Sequence, residues 1–335
     1  MSVYPKITNE RVLVTGGAGF IVSNLCEDLL KYDNEVVCLD NFSTGRMENI
    51  REMLDHKRFK LVVGDIRNPE DCKKAADGID IILQEAALGS VPRSINDPVT
   101  TNAVNIGGFL NMLVAARDAK VKRVVYAASS STYGDSETLP KVEDIIGKPL
   151  SPYAVTKYVN ELYAHVFALN YGLETIGLRY FNVYGRRQDP NGAYAAAIPK
   201  FTLALMAHES PVIHGDGTSS RDFTYIDNVI QMNNLSATTP NPDAINQVFN
   251  TAVGERTDLN QLTSLLKKYL AGFDPEISNV PITYGPIRKG DIPHSLASIE
   301  KAEKILGYKP EFNFEKGLKL AVDWYCNNLT INPYN

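Results

Sequence analysis

The sequence predicts an α/β fold, in which a doubly wound parallel sheet is joined by a smaller, interleaved C-terminal domain. Three observations lead to this prediction. Short apolar runs alternate with longer amphipathic ones through the first half of the 335 residues. A glycine-rich segment follows the first apolar run, and an aspartate ends the second. Strands that alternate with helices imply right-handed crossovers, so we expect helices on both faces of a parallel sheet.

The predicted elements follow in order along the chain. The predicted strands are the apolar runs at 11–15, 35–39, 59–63, 79–83, 124–128 and 174–179, and the helices between them include 24–31 and 101–119. Residues 225–236 and 247–251 predict a helix and a strand that return to the main sheet. Loops rich in Gly, Pro and Asn interrupt the alternation after about residue 183. We therefore predict a main domain of residues 1–182 and 224–254, and a smaller one of residues 183–223 and 255–335.

Composition and charge argue against several classes of protein. Hydrophobic residues make up 44% and charged residues 22% of the chain, as in ordinary globular enzymes. A formal net charge of −5 without a basic cluster argues against nucleic acid as a partner. No leader pattern and no apolar run near the roughly 18 residues of a membrane span are present, so we expect a cytoplasmic protein without membrane contact. The four cysteines and five histidines are dispersed, which argues against disulfides and a metal site.

The glycine-rich segment indicates a dinucleotide site. Gly16 and Gly19 follow the first strand and precede a helix, where backbone N–H groups can meet a pyrophosphate. Asp40 ends the second strand, where its carboxylate can accept hydrogen bonds from ribose hydroxyls and repel a 2′-phosphate. This pattern favours NAD over NADP. Val22 stands where the fingerprint has its third glycine, so we expect weaker NAD binding.

A second group of residues predicts proton transfer. Tyr153 and Lys157 stand four apart at the start of a predicted helix, so their side chains share one face. An ammonium beside a phenol stabilises the phenolate, which would bring the pKa of Tyr153 toward neutral pH. Ser129 ends the preceding strand, where its hydroxyl can bind the same substrate oxygen. These three residues are the predicted catalytic group.

Together these residues resemble the fingerprint of the extended short-chain dehydrogenase/reductase family, which has a Rossmann fold. Within that family the chain looks most like bacterial UDP-N-acetylglucosamine 4-epimerases, which are UDP-hexose 4-epimerase-like enzymes of polysaccharide biosynthesis. The segments that carry this likeness are 86–94, 129–134, 178–185, 191–194 and 220–223.

The resemblance implies a set of binding residues, beginning with NAD as the cofactor. Its implied contacts are Gly16, Gly19, Phe20, Ile21, Asp40, Asn41, Phe42, Ser43, Thr44, Gly45, Asp65, Ile66, Ala86, Ala87, Tyr153, Lys157 and Tyr180. The implied contacts of a UDP-sugar are Gly89, Ser90, Ser129, Ser130, Ser131, Tyr153, Asn182, Gln188, Arg221, Arg288, Asp291 and Ser295. At Ser295, a small hydroxyl leaves room for an N-acetyl group where relatives restricted to unacetylated sugars carry an aromatic ring. Glu85 and Ser298 depart from the family pattern.

The predicted function is NAD-dependent 4-epimerisation of a UDP-sugar, UDP-N-acetylglucosamine to UDP-N-acetylgalactosamine or their uronic acids. In this hypothesis Tyr153 takes the 4-hydroxyl proton while hydride passes from carbon 4 to NAD. The resulting 4-keto sugar turns, and hydride returns to its opposite face. A dehydratase or decarboxylase of the same family is one alternative, although Ser130 and Ser131 stand where dehydratases carry acids. The other is an NAD- or nucleotide-sugar-binding protein that has lost turnover, which Val22 and Glu85 keep open.

The resemblance also implies a homodimer. Helices near 101–119 and 152–170 would form a four-helix bundle between two subunits. Its predicted apolar seam consists of Phe109, Leu110, Leu113, Val159, Leu162 and Val166, unless these residues face their own sheet instead.

Overall fold

Seven parallel strands form the central sheet of the computed structural model, which describes residues 4–191, 195–287 and 293–329. The strands of the described chain are β1 (Arg11–Thr15), β2 (Glu35–Asp40), β3 (Phe59–Val63), β4 (Ile81–Gln84), β5 (Arg123–Ser129), β6 (Thr175–Tyr180), β7 (Val183–Tyr184), β8 (Val212–His214), β9 (Ser220–Arg221), β10 (Thr224–Tyr225), β11 (Gln247–Thr251), β12 (Thr257–Asp258) and β13 (Thr283–Gly285). The sheet order is β11-β6-β5-β4-β1-β2-β3. The predicted doubly wound α/β class is confirmed.

Helices cover both faces of this sheet. The α-helices of the described residues are α1 (Phe20–Leu30), α2 (Pro69–Ala76), α3 (Val91–Asn96), α4 (Pro98–Asn102), α5 (Phe109–Asp118), α6 (Pro152–Tyr171), α7 (Ala197–Met206), α8 (Ile226–Thr238), α9 (Leu259–Leu270), α10 (Glu300–Leu306) and α11 (Phe314–Asn328). Helices α1 and α8 pack together on one face, and α2, α5 and α6 pack on the other. Two buried apolar layers therefore enclose the sheet.

Sequence-based bounds and observed bounds differ at a few places. Strands β1, β3 and β11 begin and end as predicted. Strand β4 begins at Ile81 instead of residue 79, because the Ile79 N–H donates to the Ala76 carbonyl in the turn after α2. Helix α1 begins at Phe20 instead of residue 24, since extended Gly19 is its N-cap and the Gly19 carbonyl accepts from the Ser23 N–H.

The apolar helical run that begins at Pro98 is longer than predicted. A π-helical segment, Ala103–Gly108, joins α4 to α5, so one helical stretch of 21 residues extends to Asp118. By length and composition this stretch could cross a membrane. Phe109, Met112 and Leu113 are buried against the sheet, as in the core helix of an α/β layer. Phe109 and Leu113 therefore face their own sheet, and the proposed subunit seam is wrong at those two positions.

The remaining elements form a smaller region beside the carboxyl ends of the sheet strands. Three short strand pairs, β7 with β10, β9 with β12 and β8 with β13, lie among α7, α9, α10 and α11. Its core contains an aromatic cluster formed by Tyr184, Phe223, Tyr225 and Phe314, whose ring centroids lie 5.2 to 6.3 Å apart. Val183 and Gln188, at the start of this region, line the cleft described next.

Candidate active site

A cleft of about 420 Å³ lies at the carboxyl ends of the parallel strands. Strand order reverses between β1 and β4 at this edge, which is where open α/β sheets bind ligands. The predicted site residues that line it are Gly16, Gly19, Phe20, Ile21, Asp40, Asn41, Ser43, Thr44, Gly45, Asp65, Ile66, Ala86, Ala87, Gly89, Ser129, Tyr153, Lys157, Tyr180, Asn182 and Gln188. The fold thus brings the glycine loop and the predicted catalytic group to one cavity.

The glycine loop has the backbone geometry of a pyrophosphate site. Gly16 has φ +75°, and a Cβ there would lie 3.0 Å from the Ala86 Cα, so the turn requires glycine. Gly19 is the N-cap of α1, and no side chain of the described residues makes a capping hydrogen bond at this helix end. Free backbone N–H groups and the positive end of the helix dipole suit a diphosphate. These features fit NAD.

Two carboxylates stand at the far end of the cleft. Asp40 accepts hydrogen bonds from the Ala18 N–H at 2.9 Å and from the Phe42 N–H at 2.7 Å, which hold its side chain in place. The neighbouring Arg67 guanidinium lowers the pKa of Asp65 to about 2, so this side chain is ionised. Asn41 also donates to Asp65 at 2.9 Å. Fixed acceptors at this end are suited to sugar hydroxyls and adenine amino groups.

Val22 lies where helix α1 meets the cleft. Its side chain is buried in the apolar layer that includes Val14 and Leu25, and it also lines the cavity. A valine Cγ lies 3.8 Å from the position that a Gly19 Cβ would take, which is ordinary van der Waals distance. Weaker NAD binding because of Val22 stays a prediction.

Helix α6 carries the predicted proton-transfer pair. Ser151 caps the helix by accepting from the Ala154 N–H at 3.2 Å, so Tyr153 lies in the first turn and Lys157 in the second. The Lys157 Nζ donates to the Ala127 carbonyl of β5 at 2.9 Å. Ser129 ends that same strand, and both the N–H and the hydroxyl of Ser131 donate to its Oγ. These two bonds leave the Ser129 proton free to point at another oxygen.

The electrostatics of this pair differ from the prediction. Burial raises the pKa of Tyr153 and the charge of Glu85 raises it further, while a hydrogen bond from Ser129 lowers it. Burial lowers the pKa of Lys157 to about 8, although Glu85 opposes that shift. The Lys157 ammonium binds the Ala127 carbonyl, and burial is the largest effect on the pKa of Tyr153, so that pKa lies above its ordinary value.

Several predicted substrate and cofactor residues do not line this cleft. Phe42 packs against the apolar core next to Asp40, and Ser90 caps α3 by accepting from the Arg93 N–H. Ser130 and Ser131 form a 3₁₀ turn behind Ser129. Arg221 donates to the Ser220 and Pro293 carbonyls, and the Ser295 N–H donates to the Ser220 carbonyl. Arg288 and Asp291 lie outside the described residues.

Other cleft residues were absent from the predicted binding set. These are Val22, Leu39, Gly64, Glu85, Leu88, Val104, Ala127, Ala128 and Val183. Most of them end or follow a sheet strand. Their position at the carboxyl ends of predicted strands is the sequence feature that could have identified them.

Asn105 is another residue that the sequence analysis missed. It is buried, its amide oxygen accepts from the Leu88 N–H at 2.8 Å, and its amide nitrogen donates to Thr156 at 3.1 Å. This asparagine ties the loop after β4 to the helix of Tyr153 and Lys157.

Comparison with known proteins agrees with this geometry. Residues 12–252 match the NAD dependent epimerase/dehydratase family. The putative UDP-glucose 4-epimerase of Methanocaldococcus jannaschii is 35% identical over 319 residues, which cover 95% of this chain and 99% of that protein.

Two solved structures are also similar. The UDP-N-acetylglucosamine 4-epimerase of Methanobrevibacter ruminantium is 38% identical with a TM-score of 0.90, over 96% of this chain and 100% of that one. The UDP-glucuronic acid 4-epimerase of Bacillus cereus, solved with UDP-glucuronic acid and NAD, is 32% identical with a TM-score of 0.85, over 95% and 99%. The chain therefore belongs to the NAD-dependent epimerase/dehydratase family, uses NAD as its cofactor, and groups with the UDP-sugar 4-epimerases of that family.

Proposed function

We propose that this protein interconverts UDP-N-acetylglucosamine and UDP-N-acetylgalactosamine by inverting carbon 4. The observation that carries the proposal is the common cleft of Ser129, Tyr153 and Lys157 with the glycine loop. Relatives named for glucose, glucuronic acid and N-acetylglucosamine share the family. The N-acetylglucosamine epimerase has the highest identity of the three. The family resemblance implies the same choice through the small side chain of Ser295, although Ser295 does not line the described cleft.

In the proposed reaction the residues of the chain bind the sugar and move one proton. Tyr153 reacts as its phenolate, whose charge Lys157 and bound NAD⁺ would stabilise. The phenolate oxygen takes the proton of the 4-hydroxyl and later returns it, while Ser129 hydrogen-bonds the same substrate oxygen. Ser131 orients Ser129 through its two hydrogen bonds. Lys157 holds positive charge near the reacting carbon. Bound NAD would supply the acceptor and donor of hydride for carbon 4.

The UDP moiety is assigned to the smaller region, which we infer to be a substrate domain of residues 183–223 and 255–335. Asn182 and Gln188 line the cleft where this region begins. Arg221, with Arg288 and Asp291, is proposed to hold the diphosphate and the nucleoside, since guanidinium groups bind diphosphates well. The half-buried Arg221 lies on β9 beside the segment that contains Ser295.

The proposal is tested with purified protein and three UDP-sugars. Incubation with UDP-N-acetylglucosamine is expected to give a mixture with UDP-N-acetylgalactosamine in proton NMR, without net oxidation. Turnover on UDP-glucose and UDP-glucuronic acid, measured in parallel, ranks the substrates. Absence of conversion of all three with added NAD would contradict epimerisation, and loss of water or carbon dioxide would identify a dehydratase or decarboxylase instead.

Ser295→Tyr tests the substrate choice. We expect turnover of UDP-N-acetylglucosamine to fall about tenfold or more, because the ring would fill the space of the N-acetyl group, whereas UDP-glucose turnover is retained. Ser295→Ala is the matched control, and we expect it to preserve both activities. If Ser295→Tyr converts each sugar at the same rate as the unmodified protein, Ser295 does not contribute to the choice between the two sugars.

We also propose that the protein is a homodimer through helix α6. Val155, Leu162, Val166 and Leu169 form an exposed apolar stripe along this helix. Val99 of α4, which packs beside α6, extends the stripe. The variant with both Leu162→Glu and Val166→Glu is expected to halve the molecular mass in light scattering. A mass equal to one chain for the unmodified protein would refute the dimer.

A further inference from the structure

Glu85 is a buried carboxylate that the proposed proton transfer does not use. It directly follows β4 and precedes Ala86, the residue that packs against Gly16 of the glycine loop. Its side chain lines the same cleft as Tyr153 and Lys157, yet the residue is only 9% exposed. A carboxyl group so deep in a cofactor cleft is costly unless it has partners.

The carboxyl group is held by a chain of hydrogen bonds to the opposite wall. The Tyr180 hydroxyl, at the end of β6, donates to Glu85 Oε1 at 2.7 Å. That hydroxyl in turn accepts from the Asn233 amide on α8 at 2.9 Å. The second oxygen, Oε2, has no hydrogen-bond partner within residues 4–191, 195–287 and 293–329. Oε1 is thus held by Tyr180, and Oε2 is available to interact with a group bound in the cleft.

This geometry can distinguish the two oxidation states of the cofactor. The nicotinamide ring is positively charged in NAD⁺ and neutral in NADH, because the added hydride cancels the charge. The attraction between a carboxylate and a nearby positive charge is stronger in a partly dry cleft than in bulk water, because the local dielectric constant is lower. We propose that Glu85, anchored by Tyr180, makes the cleft prefer oxidised over reduced nicotinamide. The inference concerns the cofactor and holds whichever sugar the protein converts.

The preference is expected to depend on pH. Burial raises the pKa of Glu85 to about 7, while the Tyr180 hydrogen bond and the Lys157 charge lower it. The titratable groups that face it are Lys157 and Tyr153 on α6 and Tyr180 on β6. Raising the pH through about 7 therefore favours the carboxylate form of Glu85 over the neutral acid. NAD⁺ therefore gains affinity relative to NADH as pH rises, and its binding releases a proton.

The test compares Kd for NAD⁺ and for NADH by isothermal titration calorimetry, without any sugar, at pH 6 and pH 7.5. For the unmodified protein we expect the ratio Kd(NADH)/Kd(NAD⁺) to be several-fold larger at pH 7.5. Glu85→Gln keeps the shape and an acceptor for Tyr180 but removes the charge. We expect this variant to lower the ratio at pH 7.5 on the order of tenfold, and to reduce its change with pH to the part that Lys157 contributes.

Two further variants test whether the change in the Kd ratio is specific to the charge of Glu85. Glu143→Gln makes the same change at another buried carboxyl, which binds the Asn250 N–H away from the cleft, and it is expected to keep the normal ratio at both pH values. Tyr180→Phe removes the anchor but keeps the charge, so the pH response is expected to move to higher pH. A Glu85→Gln ratio equal to that of the unmodified protein at both pH values would overturn the proposal. Because no sugar is present, this failure is separate from a failure of the epimerase proposal.

Discussion

Tyr153→Phe is expected to lower the rate of UDP-sugar epimerisation by roughly a thousandfold while leaving NAD bound. The phenolic oxygen is the proposed site of the transferred proton, and removal of a general base typically costs 10² to 10⁴ in rate. The ring that fills the cleft wall is unchanged, so the cofactor site keeps its shape. The measurement is a proton NMR time course on UDP-N-acetylglucosamine, with NAD binding followed by calorimetry.

Tyr126→Phe is the matched control for this result. Tyr126 lies in β5 close to Ser129, but its ring is buried against Phe109 of α5 and does not line the cleft. The same loss of a hydroxyl should therefore leave turnover intact. Near-normal turnover by Tyr153→Phe would contradict the proposed role of Tyr153 in proton transfer. If the unmodified protein binds NAD and UDP-sugar and converts neither this sugar nor the other two, the alternative of a binding protein is favoured.

Glu161→Gln is expected to destabilise the fold by about 3–5 kcal/mol, the largest stability effect predicted. Glu161 on α6 accepts two hydrogen bonds from Arg179 on β6, at 2.9 and 2.7 Å. Their side chains are only 7% and 4% exposed. The neutral amide would leave a buried guanidinium without a counter-charge. The measurement is the urea concentration at the midpoint of unfolding. This concentration should fall, while the slope of the unfolding free energy against urea concentration stays the same.

Glu315→Gln is the control for the buried pair. Glu315 pairs with Lys268 on the surface, where water screens both charges, so the unfolding midpoint should hardly change. The double variant with Glu161→Met and Arg179→Met removes both buried charges together and should recover much of the loss. An unfolding midpoint for Glu161→Gln equal to that of Glu315→Gln would show that the pair contributes little.

This ion pair also bears on the cleft. Glu161 stands one turn after Lys157 on α6, and Arg179 immediately precedes Tyr180 on β6. The pair therefore fixes the helix of the catalytic residues to the strand that anchors Glu85. We expect the loss of stability in Glu161→Gln to be accompanied by weaker NAD binding, since both walls of the cleft lose their common restraint.

Local patterns predicted the sheet, and long-range contacts account for what they missed. Strands β1 and β3 are short apolar runs between polar turns, so their bounds could be read from neighbouring residues alone. The π-helical segment at Ala103–Gly108 has no such signature. The hydrogen bond between Tyr180 and Glu85 joins residues 95 positions apart, which no local pattern indicates.

The predicted catalytic group shows the same difference between what local sequence patterns predict and what long-range contacts decide. The spacing of Tyr153 and Lys157 placed both on one side of a helix, and both line the cleft. Their titration was not predictable, because it depends on burial by distant segments and on Glu85. Arg221 and Ser295 lie on β9 and the segment beside it, and their relation to the cleft depends on how the smaller region packs.

The aromatic cluster of Tyr184, Phe223, Tyr225 and Phe314 has a consequence for biosynthesis. Its rings come from segments up to 130 residues apart, and the Tyr184 hydroxyl donates to the Phe314 carbonyl at 2.9 Å. Until the ribosome has added helix α11, that core lacks one of its rings. The nascent protein therefore leaves this cluster unassembled and its apolar rings uncovered until Phe314 has been synthesised, and exposed apolar surface of this kind favours aggregation during that interval.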